Sequence, residues 1–290
     1  MQPRSIRFTA ARSGREGVMK RLINQHPGAP LGTALALLPF LLVLFIYTSS
    51  STTRLAENPD DPLLPSFGMM AERMTMLATE PSRRTGDLIL WQDTGASLMR
   101  LGWGIGVSML IGLVAGVLTG LIPHVRRTLS PLIRVLSMIP PLALLPILFI
   151  AFGVGELSKV VLIIFGVAPF ITRDIQQRVE ELPVEQLVKA QTLGASTWQI
   201  MLRVVLPQVM PRLLDSTRLA LGAAWLFLIA SEAIAATEGL GYRIFLVRRY
   251  LDMETILPYV FWITLLAFLA DVLLRVINRH AFPWYGSRRS

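Results

Sequence analysis

Apolar positions along this chain gather into stretches of roughly 20 residues, about the length a helix needs to cross a hydrocarbon core of about 30 Å. The first is "LGTALALLPFLLVLFIYTS", Leu31 to Ser49, and the second is "LGWGIGVSMLIGLVAGVLTGLI", Leu101 to Ile122. A third, "TLSPLIRVLSMIPPLALLPILFIAFG", ends at Gly153, and a fourth is the run Val160 to Thr172 with its flanks. Leu213 to Ala236 and Ile256 to Asn278 supply a fifth and a sixth. The pattern predicts an all-α polytopic membrane protein with about six transmembrane helices.

Within these runs the small residues and prolines carry further information. Gly104, Ser108, Gly112, Gly116 and Gly120 recur every four residues, so one face of the second helix is nearly smooth and another helix can approach its backbone closely. Such a stripe serves either packing inside the chain or a subunit interface. In the third run Ser130 is a candidate N-cap with Pro131 at the first helical position. Pro140, Pro141 and Pro146 fall inside the same run, where each removes a backbone donor and bends the helix, an arrangement suited to a pathway wall.

Between the fourth and fifth runs lies a polar, amphipathic stretch, "LVKAQTLGASTWQIMLRVVLP", Leu187 to Pro207. Pro183 can start a helix, with Glu185 in its first turn, that lasts until Gly194, a residue suited to a left-handed C-terminal position. Ser196 can cap a second helix, and Gln199 three residues on completes a capping box. Pro207 is expected to stop or kink it. The prediction is helix, tight turn, helix, exposed to water; a plain interhelical connector would also satisfy it.

Charge orients the runs. Arg4, Arg7, Arg12, Arg15, Lys20 and Arg21 stand against Glu16 alone in residues 1–30, and Arg126, Arg127, Arg173, Arg279, Arg288 and Arg289 flank later runs. Positive residues favour the inner side, which places both termini in the cytoplasm. The resulting layout is a basic arm (1–30), a first helix (31–50), and an outer segment richer in acids with a possible interfacial helix (51–98). A membrane core (99–278) then contains the inner loop 183–207, and a tail (279–290) follows. A cleaved signal is the competing reading of the start, against which stand the long basic region and the lack of a small-x-small site. The stretch "TEGLGYRIFLVRRYLDMET" runs against the charge rule, being placed outside while holding Arg243, Arg248 and Arg249.

Composition agrees with a membrane protein: 53% of residues are hydrophobic, 16% are charged, and mean hydropathy is +0.55. The net charge of +9 sits beside apolar runs and does not form an aromatic-interleaved surface, so no nucleic acid partner is expected, though the basic arm can touch anionic lipid. There is no cysteine. The lysines Lys20, Lys159 and Lys189 do not follow glycines as a P-loop requires. His26, His124 and His280 lack ligand spacing, so no metal site is expected, and no nucleophile elbow appears. Ionisable residues inside apolar runs are costly and therefore informative. Arg218 can snorkel inward or serve a pathway, and Asp271 and Arg275, four apart, are expected to pair. Glu232, beside Ser231, is expected either to line the mouth of a pathway or to reach interfacial water.

The pattern A-x-x-L-G-A-S-x-W followed by V-V-L-P resembles the cytoplasmic EAA loop of ABC importer permeases, the glycine and the Leu-Pro standing as Gly194 and Leu206-Pro207 do. "IPPLALLPILFIAFGVGELSKVVLI" and "SEAIAATEGLGYRI" are similar to the nitrate, sulfonate and taurine branch of these importers. The resemblance covers about Ser97 to Trp284. It implies the type I importer permease fold in a bacterial inner membrane. It also implies docking of an ATPase subunit at Lys189, Ala190, Leu193, Gly194, Ala195 and Ser196, with Leu206 and Pro207 completing the loop; the bending prolines and intramembrane polar residues themselves suggest a pathway past Pro140, Pro141, Arg218, Ser231 and Glu232. Two copies of the chain, two ATPase subunits that bind ATP and Mg, and a periplasmic solute-binding protein are implied as partners; the chain itself would be a non-catalytic subunit without a cofactor. Val188-Lys189-Ala190 replaces the family's usual Glu-Ala-Ala, removing an acid. A stand-alone channel or secondary carrier, and a membrane scaffold that transports nothing, are the alternatives from other classes.

Overall fold

The computed structural model describes residues 28–59, 61–82 and 86–286, and within them every regular element is helical. Most of the basic arm and the last four residues lie outside the described residues, as do Asp60, Arg83 and Arg84 of the acidic segment. Two units are separable, the first ending at Thr53 and the second beginning at Arg54. Helix α1, Ala29–Glu57, carries the first apolar run through Pro39.

The second unit opens with α2, Phe67–Thr79, capped by Ser66, whose Oγ accepts from the Met69 N–H. Helix α3, Ile89–Leu121, is a single 33-residue rod. The second crossing thus begins twelve residues before the expected Leu101: the stretch expected along the membrane surface is the first third of α3. Its polar residues, buried by neighbours, keep the helix going where hydropathy alone ends it.

Helices α4, Pro123–Met138, and α5, Leu145–Phe152, replace the expected third crossing. Pro140 and a tight turn at Pro141–Leu144 separate them, and the two segments meet at 87°. No straight helix crosses here. Ser130 and Pro131 do not start it either: α4 begins at Pro123, where the missing N–H costs nothing, and passes through Pro131. Ser130 Oγ instead donates to Gln176 Oε1 at 3.2 Å.

Helix α6, Glu156–Glu180, α7, Val184–Thr192, and α8, Thr197–Ala235, follow. The fifth crossing was expected from Leu213, but α8 runs 39 residues from the polar loop without a gap. Pro207 does not stop it. A π-helical turn, Met201–Val205, precedes the proline, and the Leu206 N–H closes it on the Met201 carbonyl. This wider turn leaves room for the proline ring. Helix α9, Leu240–Val247, and α10, Met253–Ala281, complete the bundle before a short turn, Pro283–Gly286. Among the described residues α1, α3, α8 and α10 are long and apolar enough to cross a membrane, and the bent pair α4 and α5 is a fifth candidate.

The core lies where α3 meets α6. A Cβ on Gly104, Gly112, Gly116 or Gly120 would stand 2.4–2.6 Å from Ile163, Ile171, Ile175 or Val179 respectively. Both series climb by fours in the same direction, so the helices run parallel with a glycine groove on α3 against a β-branched ridge on α6. Ser108 shares the groove, its Oγ donating to the Gly104 carbonyl at 2.7 Å. In lipid, where apolar surface gives no preference for protein over solvent, this close van der Waals fit holds helices together. β-branched side chains suit it because they lose little rotamer freedom on packing.

Candidate functional site

At one end of the bundle α7 turns into α8 within four residues. The Gly194 N–H donates to the Gln191 carbonyl at 2.9 Å and the Ala195 N–H to the Ala190 carbonyl at 3.0 Å. This paired arrangement closes a helix through one left-handed residue, and Gly194 has φ +78°. Ser196 then opens α8. Its Oγ accepts from the Gln199 N–H at 3.3 Å while its own N–H donates to Gln199 Oε1 at 2.8 Å. Gln208 ties the two helices by donating to Gln186 Oε1 at 3.1 Å.

The turn is therefore rigid at both caps, yet its side chains project outward. Leu193 is 87% exposed, Val184, Val188 and Trp198 are also exposed, and Lys189, Gly194 and Ser196 stand in solvent. Ala190 and Ala195 are half-buried beneath them. The structure gathers Lys189 through Ser196 into one knob; Leu206 and Pro207 lie farther along α8, beyond the π turn.

The opposite end holds a buried network that sequence reading missed. On α3, Asp93, Ser97 and Arg100 share one face at i, i+4 and i+7. Arg100 Nη1 donates to Glu232 Oε1 at 2.8 Å and to the Glu238 carbonyl at 2.9 Å, while its Nη2 reaches Glu156 Oε1 at 2.9 Å. Lys159 Nζ joins the same Glu156 oxygen at 2.7 Å. Ser97 Oγ and the Gly241 N–H donate to Glu232 at 2.7 and 2.8 Å, and the Leu240 N–H donates to Ser97 Oγ at 2.8 Å. Asp93 accepts from the Gly239 N–H at 2.9 Å, Arg243 Nε at 2.8 Å and Tyr259 OH at 3.1 Å.

Glycine is required in this clamp. Gly239 has φ +126°, and a Cβ there would stand 2.6 Å from Glu232 Cδ and 2.7 Å from Arg100 Nη1. The two fully buried carboxylates, Asp93 and Glu232, each hold an arginine, as burial demands. Glu232 is 0% exposed, so it neither lines an open mouth nor reaches interfacial water in this state, and Ser231 beside it is equally buried, its Oγ donating to the Leu228 carbonyl at 2.8 Å. Both expectations for Glu232 are corrected by the same cause: Arg100 lies on another helix, out of view in a linear reading. The clamp also accounts for one of the three charges that break the orientation rule, since Arg243 is neutralised by Asp93, whereas Arg248 and Arg249 lie outside it.

Arg218 is likewise paired, its Nε 2.7 Å from Asp271 Oδ1 on α10, so it does not snorkel free. Asp271 also meets Arg275 at 2.6 Å, the spacing expected of residues four apart. Pro140 and Pro141 form the break between α4 and α5, and Pro141 lines a cleft of about 510 Å³ between α4 and α6. Ser130, Arg134, Phe165, Pro169 and Arg173 share its wall.

A helical bundle with several membrane-length spans, a rigid exposed turn at one end and a closed ionic clamp at the other defines a polytopic membrane protein built around a protruding knob. Residues 108–283 match the family described as binding-protein-dependent transport system inner membrane component, and the chain belongs to that family. Over 200 residues it is 36% identical to the taurine transport system permease protein TauC of Escherichia coli (strain K12), covering 69% of this chain and 73% of that protein. It is 30% identical over 242 residues to the bicarbonate transport system permease protein CmpB of Synechococcus elongatus, covering 82% of this chain and 84% of that protein. Among solved structures, one described as an inward facing conformation of the MetNI methionine ABC transporter superposes with a TM-score of 0.57 at 22% identity. It covers 72% of this chain and 98% of that one, a likeness of fold.

Proposed function

We propose that this chain is the transmembrane permease subunit of an ATP-driven importer in a bacterial inner membrane. Two copies form the translocation pathway, two ATPase subunits carrying ATP and Mg dock from the cytoplasm, and a soluble binding protein delivers solute at the opposite face. The relatives named for taurine and bicarbonate transport share one chemical feature, an anionic oxygen-rich head, and support a small oxyanion or organosulfur solute.

The observation that carries this reading is the Gly194 turn. An exposed apolar knob with both caps satisfied costs stability in water unless something covers it, and it continues directly into a membrane-length helix. A partner that presses on the knob therefore presses on α8. In the working cycle, ATP-driven closure of the partners moves the turn and shifts the bent α4 and α5 region against the core.

The test is affinity purification in detergent with an assay of ATP hydrolysis. A P-loop ATPase co-elutes, and Gly194→Val, which puts a β-branched residue at φ +78°, uncouples hydrolysis from uptake. Unchanged coupled uptake in that variant removes the turn from the mechanism. Elution of the chain alone, with vesicles that still pass solute down its gradient, assigns a channel or carrier instead.

A further inference from the structure

The cleft between α4 and α6 holds two arginines without partners. Arg134 and Arg173 both line it, both are exposed, and among the described residues neither makes a hydrogen bond or ion pair. The carboxylates of the same wall are already engaged. Asp174 meets Arg178 at 3.5 Å and accepts from Ser216 Oγ, and Glu180 meets Arg126 at 3.2 Å and accepts from Gln176 at 2.9 Å. Arg178 in turn holds Glu181 at 3.2 Å. Within the lining, Arg134 and Arg173 stand beside two carboxylates, Asp174 and Glu180, and each of those is already paired with an arginine outside the cleft.

The contrast with the rest of the bundle is informative. Four arginines elsewhere in the bundle, Arg100, Arg218, Arg243 and Arg275, each hold a carboxylate. Arg173 ends the apolar run of α6, and the α6 ridge of Ile163, Ile171 and Ile175 faces α3, which turns Arg173 away from the core. The wall also offers neutral donors, Ser137, Gln176 and Gln177, beside the apolar faces of Phe165, Pro169 and Phe170, so an anion there meets charged and neutral hydrogen-bond donors together. A guanidinium presents a planar fork matched to two oxygens of one anion.

We propose that Arg134 and Arg173 are the anion-contacting residues of the pathway, taking the oxyanion head of the solute, a sulfonate or a carboxylate-like group, as it passes the break at Pro140. This rests on the permease reading and adds the solute class and the residues that read it.

The test uses the purified complex in nanodiscs of zwitterionic lipid, with phenylglyoxal as an arginine-modifying reagent and mass spectrometry to locate adducts. Methanesulfonate is the probe, and dimethyl sulfone is its uncharged counterpart. At about ten times the half-saturating concentration, methanesulfonate slows modification of both arginines about tenfold, while dimethyl sulfone leaves the rate unchanged. Arg173→Gln weakens the protection at Arg134 by about tenfold or more, and Arg173→Lys, which keeps the charge, weakens it less. ATPase co-elution reports that each variant is folded, and the measurement on the native chain needs no variant.

Equal protection by dimethyl sulfone, no protection by methanesulfonate, or protection by phosphatidylglycerol nanodiscs alone overturns the site, the last assigning the arginines to lipid headgroups. Loss of ATPase co-elution in the native complex strikes the permease reading instead, and the protection result then reads the anion site separately.

Discussion

The α3 and α6 interface makes a quantitative claim that one methyl group can test. A Cβ added at Gly116 would stand 2.6 Å from Ile175 Cγ2, 2.7 Å from Ile175 Cβ and 2.9 Å from the Thr172 carbonyl oxygen. Carbon atoms rest at about 3.5–4.0 Å, so the shortfall is roughly 1 Å. Ile175 cannot swing aside, because its own Cβ is part of the obstacle and a backbone oxygen is another. The helices must separate, and they are in the same tight contact at Gly104, Gly112 and Gly120. Overpacking of this kind costs about 1–3 kcal/mol. Gly106 lies on the same helix with nothing within 4 Å of a built Cβ, so Gly106→Ala collects only the helix-propensity gain, up to about 1 kcal/mol. That gain is common to both variants and cancels in the comparison. Gly116→Ala should therefore melt below Gly106→Ala by about 1–3 kcal/mol, roughly 2–12 °C for a domain of this size. Thermal challenge in detergent followed by fluorescence-detected size exclusion reads the difference. Adding Ile175→Ala should not rescue Gly116→Ala, since the Cβ at 2.7 Å remains. Equal midpoints, or rescue by that truncation, would show that the helices are not held at glycine distance.

Two further outcomes follow from the ends of the bundle. Arg100→Ala leaves Glu232, fully buried, without its cation, a change that typically costs about 3–5 kcal/mol; adding Glu232→Gln should recover part of the loss by neutralising the stranded charge, and a double-mutant cycle in the same thermal assay shows no coupling if the clamp is absent. Ser196→Ala removes one half of the capping box at a cost of about 0.5–2 kcal/mol, so hydrogen exchange at the Gln199 amide should quicken while the core amides of α6 keep their rate, and an unchanged Gln199 rate argues against the cap.

The local devices were legible because they are short-range. The Gly194 closure, the Ser196 and Gln199 reciprocal cap and the Asp271 and Arg275 spacing each depend on residues within five positions, and the backbone geometry follows from residue type. The glycine stripe on α3 was legible as a groove, but its occupant was not named. The signal was present, since Ile163, Val167, Ile171, Ile175 and Val179 repeat by fours with a β-branched residue at every step. The clamp was not legible. Asp93, Ser97 and Arg100 look like a polar interfacial helix until Glu232, Gly239 and Arg243 arrive from more than a hundred residues away to satisfy them. Hydropathy misplaced the start of α3 for the same reason, because it counts a buried, paired charge as an exposed one. Pro207 predicts a stop or a kink from its missing donor, and of the two the helix does not stop, because a five-residue π turn absorbs the proline.

Taken together, the groove and the clamp decide which parts of the bundle can move. Helices α3 and α6 are locked by backbone-distance contacts that admit no sliding without a clash. Helix α8 is tied to α3 at its far end by Arg100 and Glu232 and to α10 by Arg218 and Asp271. These four helices therefore respond to a push at the Gly194 turn as one body. Helix α4 is different, whereas α5 is anchored in the core by Leu145 and Leu148. Helix α4 has no buried residue, it is broken from α5 at Pro140, and it borders the cleft that carries the two free arginines. Low burial and a break in the hydrogen-bonded column are the physical marks of a segment that moves at low cost. If the turn is where force enters, the boundary between α4 and α6 is where it opens space, and that boundary is the one lined by Arg134 and Arg173.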